Sequence, residues 1–373
     1  MIERWLEGKD VCICAGPGGV GKTSTAAAVA LGMAGRGAKV AVLTIDPARR
    51  LAHALGLDEL GHEAHLVDVP VKGELWAMML DPKRTFDQLV EQHAPDERTR
   101  DAVLSNRIYL ELSNAVAGSQ EYMAMEKLHQ LHSEGEYDLL VLDTPPTRHA
   151  LDFLDAPRKL AAFIDSPSLQ LLAGPGTLGL KLLGRGSGVL FGAMKRATGV
   201  DLLADLSDFF RSFGGMVEGF RERAHEVNTL LADERSTFVV VTSPREDSLD
   251  EAAFFHDRLR DAELPFAGVI ANRVRKPAPE HEADVAGEVE ELLGAELGRK
   301  VVRTWDEERA LAARDRAALR RLRKRLDGVP LIEVPRLDED VHDLDGLARM
   351  NEHLFRRARS SPPGRPSPSR RTG

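Results

Sequence analysis

From Gly16 the chain reads Gly16-Pro17-Gly18-Gly19-Val20-Gly21-Lys22-Thr23-Ser24, which fits the pattern G-x-x-x-x-G-K-S/T at every position. The residue types suit one chemistry. Glycines let backbone N–H groups converge on phosphate oxygens, and Lys22 has the reach and charge for the β- and γ-phosphates. Thr23 offers a hydroxyl to a magnesium ion, and a helix starting here adds its own positive end. Gly16, Gly18, Gly19, Val20, Gly21, Lys22, Thr23 and Ser24 are therefore expected to hold a nucleoside triphosphate. Two carboxylates follow in order. Asp46 follows Leu43-Thr44-Ile45 and leads into Pro47-Ala48, and Asp143 closes Leu139-Leu140-Val141-Leu142-Asp143. A carboxylate at a strand end beside a phosphate loop can orient or deprotonate an attacking water, or hold magnesium through water. Asp46 is expected in the first role and Asp143 in the second. Taken singly, either aspartate is also what a helix cap or a turn would use.

These groups must be positioned by strands that end on one edge. Val11 to Ala15 is a short apolar run entering the glycine loop, and Thr25 to Met33 is an alanine-rich helix former leaving it. Further apolar, valine-rich runs span Lys39 to Ile45, Leu75 to Leu80, Tyr137 to Leu142, Thr237 to Thr242, Phe266 to Ala271 and Pro330 to Val334. Helical patterns separate most of them, so the expected fold is α/β, a doubly wound and mainly parallel sheet with nucleotide at the strand C-termini. No second G-K-T and no internal repeat occur, so one nucleotide module is expected.

From about Arg158 to Asp233 no strand pattern occurs, far too long for an ordinary connection. The division expected is a first core part over 1–157, a helical insertion over 158–235, a second core part over 236–358 and a disordered tail over 359–373. Within the insertion Leu202, Leu203, Leu206, Phe209, Phe210, Phe213, Met216, Val217 and Phe220 keep helical spacing. That stripe is either a groove or ordinary packing. A charged helix is expected near Asp306 to Leu326, its massed arginines forming a solvated face.

Composition narrows the class. Hydrophobic residues make up 43% and charged residues 29%, as in soluble globular proteins, and the net charge of −9 argues against a general nucleic-acid binder. The two cysteines, Cys12 and Cys14, share one face of the first strand and read as core residues in a reducing cytoplasm. No secretory signal opens the sequence and no apolar run can span a bilayer, so a cytoplasmic location without an integral membrane segment is expected.

The Gly-Gly-Val-Gly-Lys-Thr loop, the Asp46-Pro47-Ala48 segment and the run from Asp143 through Thr144-Pro145-Pro146-Thr147-Arg148-His149 to Leu154 resemble the ArsA-like ATPases. These are anion-pump ATPases and their tail-anchored-protein-targeting relatives, cousins of the MinD/ParA group. The resemblance runs to about residue 350, is nearest to an actinobacterial subgroup, and places the insertion where the family has one. It implies a P-loop NTPase fold of the MinD/ParA-like type, ATP rather than GTP, a dimer, and Asp46 as the catalytic switch I aspartate. Asp143 to His149 would form switch II, Asn272 would contact adenine, and the loop at Pro335 would close over the base. Without the resemblance Asn272 reads equally as a strand-end turn residue. The insertion would, with its dimer mate, form a groove for a hydrophobic client helix.

Departures from the family pattern matter as much. Where the family carries a lysine that reaches the partner's phosphates, this chain has Pro17, which brings no charge. Arg49, Arg50 or Arg148 could substitute, a lysine-bearing related subunit could supply the cation in a heterodimer, or the chain could be mainly a nucleotide switch. Lacking a thiol cluster and a Cys-x-x-Cys pair, it is not expected to pump metalloids or to share a bridging zinc. The leading expectation is a magnesium-dependent ATPase, homodimeric or paired with a related subunit, that couples nucleotide state to a hydrophobic client or partner protein. The alternative is a non-catalytic nucleotide-binding regulatory subunit of a lysine-bearing partner. A positioning ATPase of the ParA/MinD kind would need a basic surface or a membrane-binding tail, and neither is visible.

Overall fold

The computed structural model describes residues 1–46, 48–107, 109–110, 119–144, 209, 212, 216–276 and 285–356, and elements are numbered among these. In chain order they are β1 (Val11–Ala15), α1 (Lys22–Ala34), β2 (Lys39–Thr44), α2 (Arg50–Ala54), β3 (His65–Leu66), β4 (Glu74–Met79), α3 (Pro82–His93), α4 (Glu97–Leu104) and α5 (Ser119–Glu134). There follow β5 (Leu139–Asp143), α6 (Val217–Ala232), β6 (Ser236–Thr242), α7 (Glu246–Asp261), β7 (Phe266–Val274), α8 (Val285–Leu293), α9 (Ala295–Arg325), β8 (Leu331–Pro335) and α10 (Leu344–Leu354).

The strands form one eight-stranded sheet in the order β3-β4-β2-β5-β1-β6-β7-β8, and every pairing except β3 with β4 is parallel. Period-two alternation builds two cores. Val11, Ile13 and Ala15 face one layer together with Ala41, Leu43, Leu140 and Leu142, while Cys12 and Cys14 face the other with Val40, Val42, Leu139 and Val141. Both cysteines are free and fully buried, as expected of core thiols.

Each expected strand is present, with ends matching or shifted by at most three residues, and the short antiparallel β3 is an addition. It is two exposed residues long, too short to announce itself in a sequence and a harmless edge for that reason. The charged helix begins at Ala295 rather than near Asp306. Its first half buries only Gly298, so no apolar period marks it, whereas Ala312, Asp315, Ala318, Leu319 and Leu322 seat its second half. Its arginines are not merely solvated: Arg321 meets Glu246 at 2.6 Å, Arg325 meets Asp250 at 3.2 Å and Arg323 meets Glu333 at 2.7 Å. Such exposed pairs orient α9 against α7 and β8 more than they stabilise it.

Most of the expected insertion, and the whole of the expected tail over 359–373, lie outside the described residues. Of the apolar stripe, the side chains of Phe209, Met216 and Phe220 are described, and all three are buried in the core layer that also holds Tyr109 and Tyr122. For these three the packing alternative is the correct one.

Two glycines set close approaches. A Cβ on Gly16 would overlap the main-chain carbonyl of Val241 in β6, and its φ of +140° already lies where L-residues are rare. A Cβ on Gly32 would instead overlap the ring of Phe355, over which the Arg36 guanidinium sits 4.0 Å from the centroid. Rings can turn and central strands cannot. Gly16→Ala is therefore expected to lower the unfolding free energy by about 3 kcal/mol or more, and Gly32→Ala by about 1 kcal/mol. Urea denaturation of the two variants measures this, and equal losses would show that the backbone clash does not set the cost.

Candidate functional site

β1 ends at Ala15 and α1 begins at Lys22, so the glycine loop spans a central strand and a helix N-terminus, as its sequence requires. Gly21 adopts φ 92° and Gly19 φ 76°, conformations that glycine reaches without penalty. Lys22 is 6% exposed and donates from Nζ to the carbonyl of Pro17 at 2.9 Å, curled back over the loop. Burial lowers its pKa, and the nearby Asp143 carboxylate opposes the fall.

Register brings the second group in. Asp143 stands beside Cys14 of β1 on one side and Thr44 of β2 on the other. Its Oδ2 accepts hydrogen bonds from Thr23 Oγ1 at 2.7 Å and Thr44 Oγ1 at 2.9 Å. The carboxylate is 1% exposed, and Oδ1 has no partner among the described residues. Burial pushes its pKa up to about 6, against the pull of the two hydroxyls and of Lys22. An unsatisfied, buried carboxylate oxygen next to a threonine hydroxyl and a phosphate loop is a donor set that suits a hard divalent cation.

Asp46 lies two residues beyond β2. Its N–H donates to Thr44 Oγ1 at 3.2 Å, its Oδ1 accepts from the Ala48 N–H at 3.0 Å, and its Oδ2 lies 3.3 Å from Arg50 Nη1. Thr44 thus joins the two aspartates through one hydroxyl. Sequence reasoning missed it, although a hydroxyl residue two positions before a strand-end aspartate was a usable signal. Thr144, at the start of the expected switch II, is anchored to β1 because its N–H and hydroxyl both donate to the Cys14 carbonyl, at 3.2 and 3.0 Å. Pro145 to His149 lie outside the described residues, and so does Arg148. Arg49 is paired with Glu59 at 3.6 Å.

On the opposite side of the loop a cleft of about 810 Å³ is bounded by Gly18 to Gly21 and Ser24, with Asn272 of β7 and Pro335 of β8. That volume suits a nucleotide. The structure therefore gathers Gly18 to Gly21, Ser24, Asn272 and Pro335 around one cleft, and brings Thr23 of α1 and the end of β2 to Asp143 beside it, while Gly16, Lys22 and Thr23 do not line the cleft. The Asn272 amide already has partners: Nδ2 donates to the Val20 carbonyl at 2.9 Å and Oδ1 accepts from the Arg273 N–H at 2.9 Å. One N–H and one lone pair remain for a ligand.

Thr44→Val keeps the shape and removes the shared hydroxyl. It is expected to cost about 1–3 kcal/mol of unfolding free energy, because Asp143 loses one of two donors while staying buried. Urea unfolding at neutral pH measures the loss, and an unchanged midpoint would mean that water reaches the carboxylate in its place.

The chain is 26% identical over 343 residues to an ATPase GET3 of Malassezia globosa, covering 92% of this chain and 89% of that protein. It is 30% identical over 268 residues to ATPase GET3 of Mycosarcoma maydis, covering 70% and 71% of the two chains. These relatives are fungal and lend nothing to the narrower actinobacterial placement. The model of the anion-transporting ATPase family matches residues 9–291, which include the glycine loop, both aspartates and Asn272. With that match spanning most of an eight-stranded P-loop sheet, the chain belongs to the ArsA family of ATPases.

Proposed function

We propose that this ATPase binds ATP together with Mg²⁺, the triphosphate on the loop from Gly16 to Thr23 and the base in the cleft between Asn272 and Pro335. The observation that carries the reading is the meeting of Thr23 Oγ1 with a buried Asp143 carboxylate whose second oxygen has no partner among the described residues. The chemistry magnesium would supply there is neutralisation of phosphate charge. Thr23 and Asp143 would hold the ion, Asp143 giving up any proton that burial favours. Lys22 leaves the Pro17 carbonyl to meet the phosphates, and Asp46 orients the attacking water once Arg50 shares or releases it. Asn272 offers its remaining N–H and lone pair to adenine.

Dimerisation, a hydrophobic client and a cytoplasmic location belong to the same proposal. Among the described residues no helix is long and apolar enough to cross a membrane. The client surface is assigned to the insertion over 158–235, without Phe209, Met216 and Phe220, which are buried in the core. Pro17 supports the second reading, a subunit that needs a lysine-bearing partner, since Arg49 and Arg50, two of the cations that could replace the lysine, already have acidic partners.

Steady-state ATP hydrolysis by the purified chain tests both. Turnover is expected to fall about a hundredfold or more in Asp46→Asn while ATP binding persists. Tight ATP binding by the wild-type chain with no turnover above that of the variant would instead favour the subunit reading.

A further inference from the structure

Two carbonyls of the phosphate loop are held by two consecutive residues of β7, which line the cleft beside it. Asn272 Nδ2 donates to the Val20 carbonyl at 2.9 Å, and Arg273 Nη1 donates to the Gly19 carbonyl at 3.0 Å. The Arg273 N–H closes on Asn272 Oδ1 at 2.9 Å, which turns the amide so that its Nδ2 faces the loop. The backbone is shaped for this. Arg273 has φ 60°, uncommon for a residue with a side chain, and the β7–β8 register shifts between Ala271 and Val274. A bulge at that point re-aims side chains, and a left-handed arginine persists only where surrounding contacts over-determine it. The loop is fitted to the pair in return, since a Cβ on Gly21 would overlap Asn272 Nδ2.

A peptide carbonyl pulled outward leaves the following N–H pointing inward. With the carbonyls of Gly19 and Val20 held this way, the N–H groups of Val20 and Gly21 point away from Asn272 and Arg273. We infer that Asn272 and Arg273 form a clamp that preorganises the phosphate loop for anion binding, with Arg273 as a positioning residue that does not touch the reacting phosphate. Its consequence for hydrolysis rests on the ATPase reading above, but the loop geometry does not.

The test uses the full-length chain with Arg273→Ala and Arg273→Lys, substitutions at an exposed side chain. Amide hydrogen exchange of the peptide covering the loop, in nucleotide-free protein, is expected to speed up in Arg273→Ala. ADP and ATP affinities should both weaken about tenfold, the effect of one charge-assisted hydrogen bond. KM should rise with kcat unchanged, since a loop organised equally for substrate and transition state contributes uniform binding. Arg273→Lys, which keeps a cationic donor, should recover most of the affinity. Wild-type loop exchange and wild-type affinities in Arg273→Ala would overturn the clamp. A fall in kcat with unchanged ADP affinity would overturn it too, by placing the guanidinium on the transferred phosphate. Exchange and ADP binding report even if the isolated chain proves unable to hydrolyse ATP, so the two readings fail separately.

Discussion

Asp143 stands in the middle of three parallel strands with its carboxylate out of water, and a lone carboxylate in such a place would cost several kcal/mol. Much of the surrounding structure answers that cost. β2 must end in a hydroxyl residue beside it, α1 must bring Thr23 over it, and the ammonium of Lys22 must lie near enough to pull against the desolvation. The loop from Gly16 to Gly21 then has little freedom, because it has to connect the end of β1 to a helix whose first turn is already placed. Among the described residues compensation is incomplete on Oδ1, so the carboxylate is satisfied on one oxygen and unpaired on the other.

The helix that carries Thr23 is held at its other end as well. Gly32 lets the ring of Phe355 close against α1, and Arg36 covers the ring, so the segment following α10 braces the helix that presents the phosphate site. On the other face, α5 leads into β5 and α6 leads into β6. A buried pair joins these two helices: Arg223 Nε lies 2.6 Å from Glu126 Oε1, and Glu126 is almost fully enclosed. Burial raises the Glu126 pKa against the attraction of Arg223. Pairs of this kind add little net stability, yet losing one partner strands the other, so the relation of α6 to the strand bearing Asp143 is tightly specified.

Pro17 carries no charged side chain into the glycine loop, and the geometry shows what its position still does. Its carbonyl receives the Lys22 ammonium, so the backbone at residue 17 serves the loop although the side chain carries no charge. The nearby Arg49 and Arg50 are engaged with Glu59 and Asp46. Any cation for the transferred phosphate must come from a rearrangement of these pairs or from elsewhere.

What could be read from the sequence is local. The strand, glycine loop and helix around Gly16 to Ser24 follow from neighbours within a few residues, and the alternation of Val11 to Ala15 foretells a strand covered on both faces. Asp46 and Asp143 were visible because each closes an apolar run. What only tertiary structure decided depends on groups far apart in the chain. The register that sets Asp143 between Cys14 and Thr44 made Thr44 a shared donor, and no local pattern states a register. Phe209, Met216 and Phe220 have helical spacing whether they line a groove or a core, and only their burial in the main core cluster separates the two. The first half of α9 escaped notice because it buries almost nothing and so leaves no apolar period. Asn272 reads in sequence as a turn residue or a base contact, while its bond to Val20 crosses 252 residues. Spacing records what a segment can form by itself, and burial and register are properties of the partners it meets.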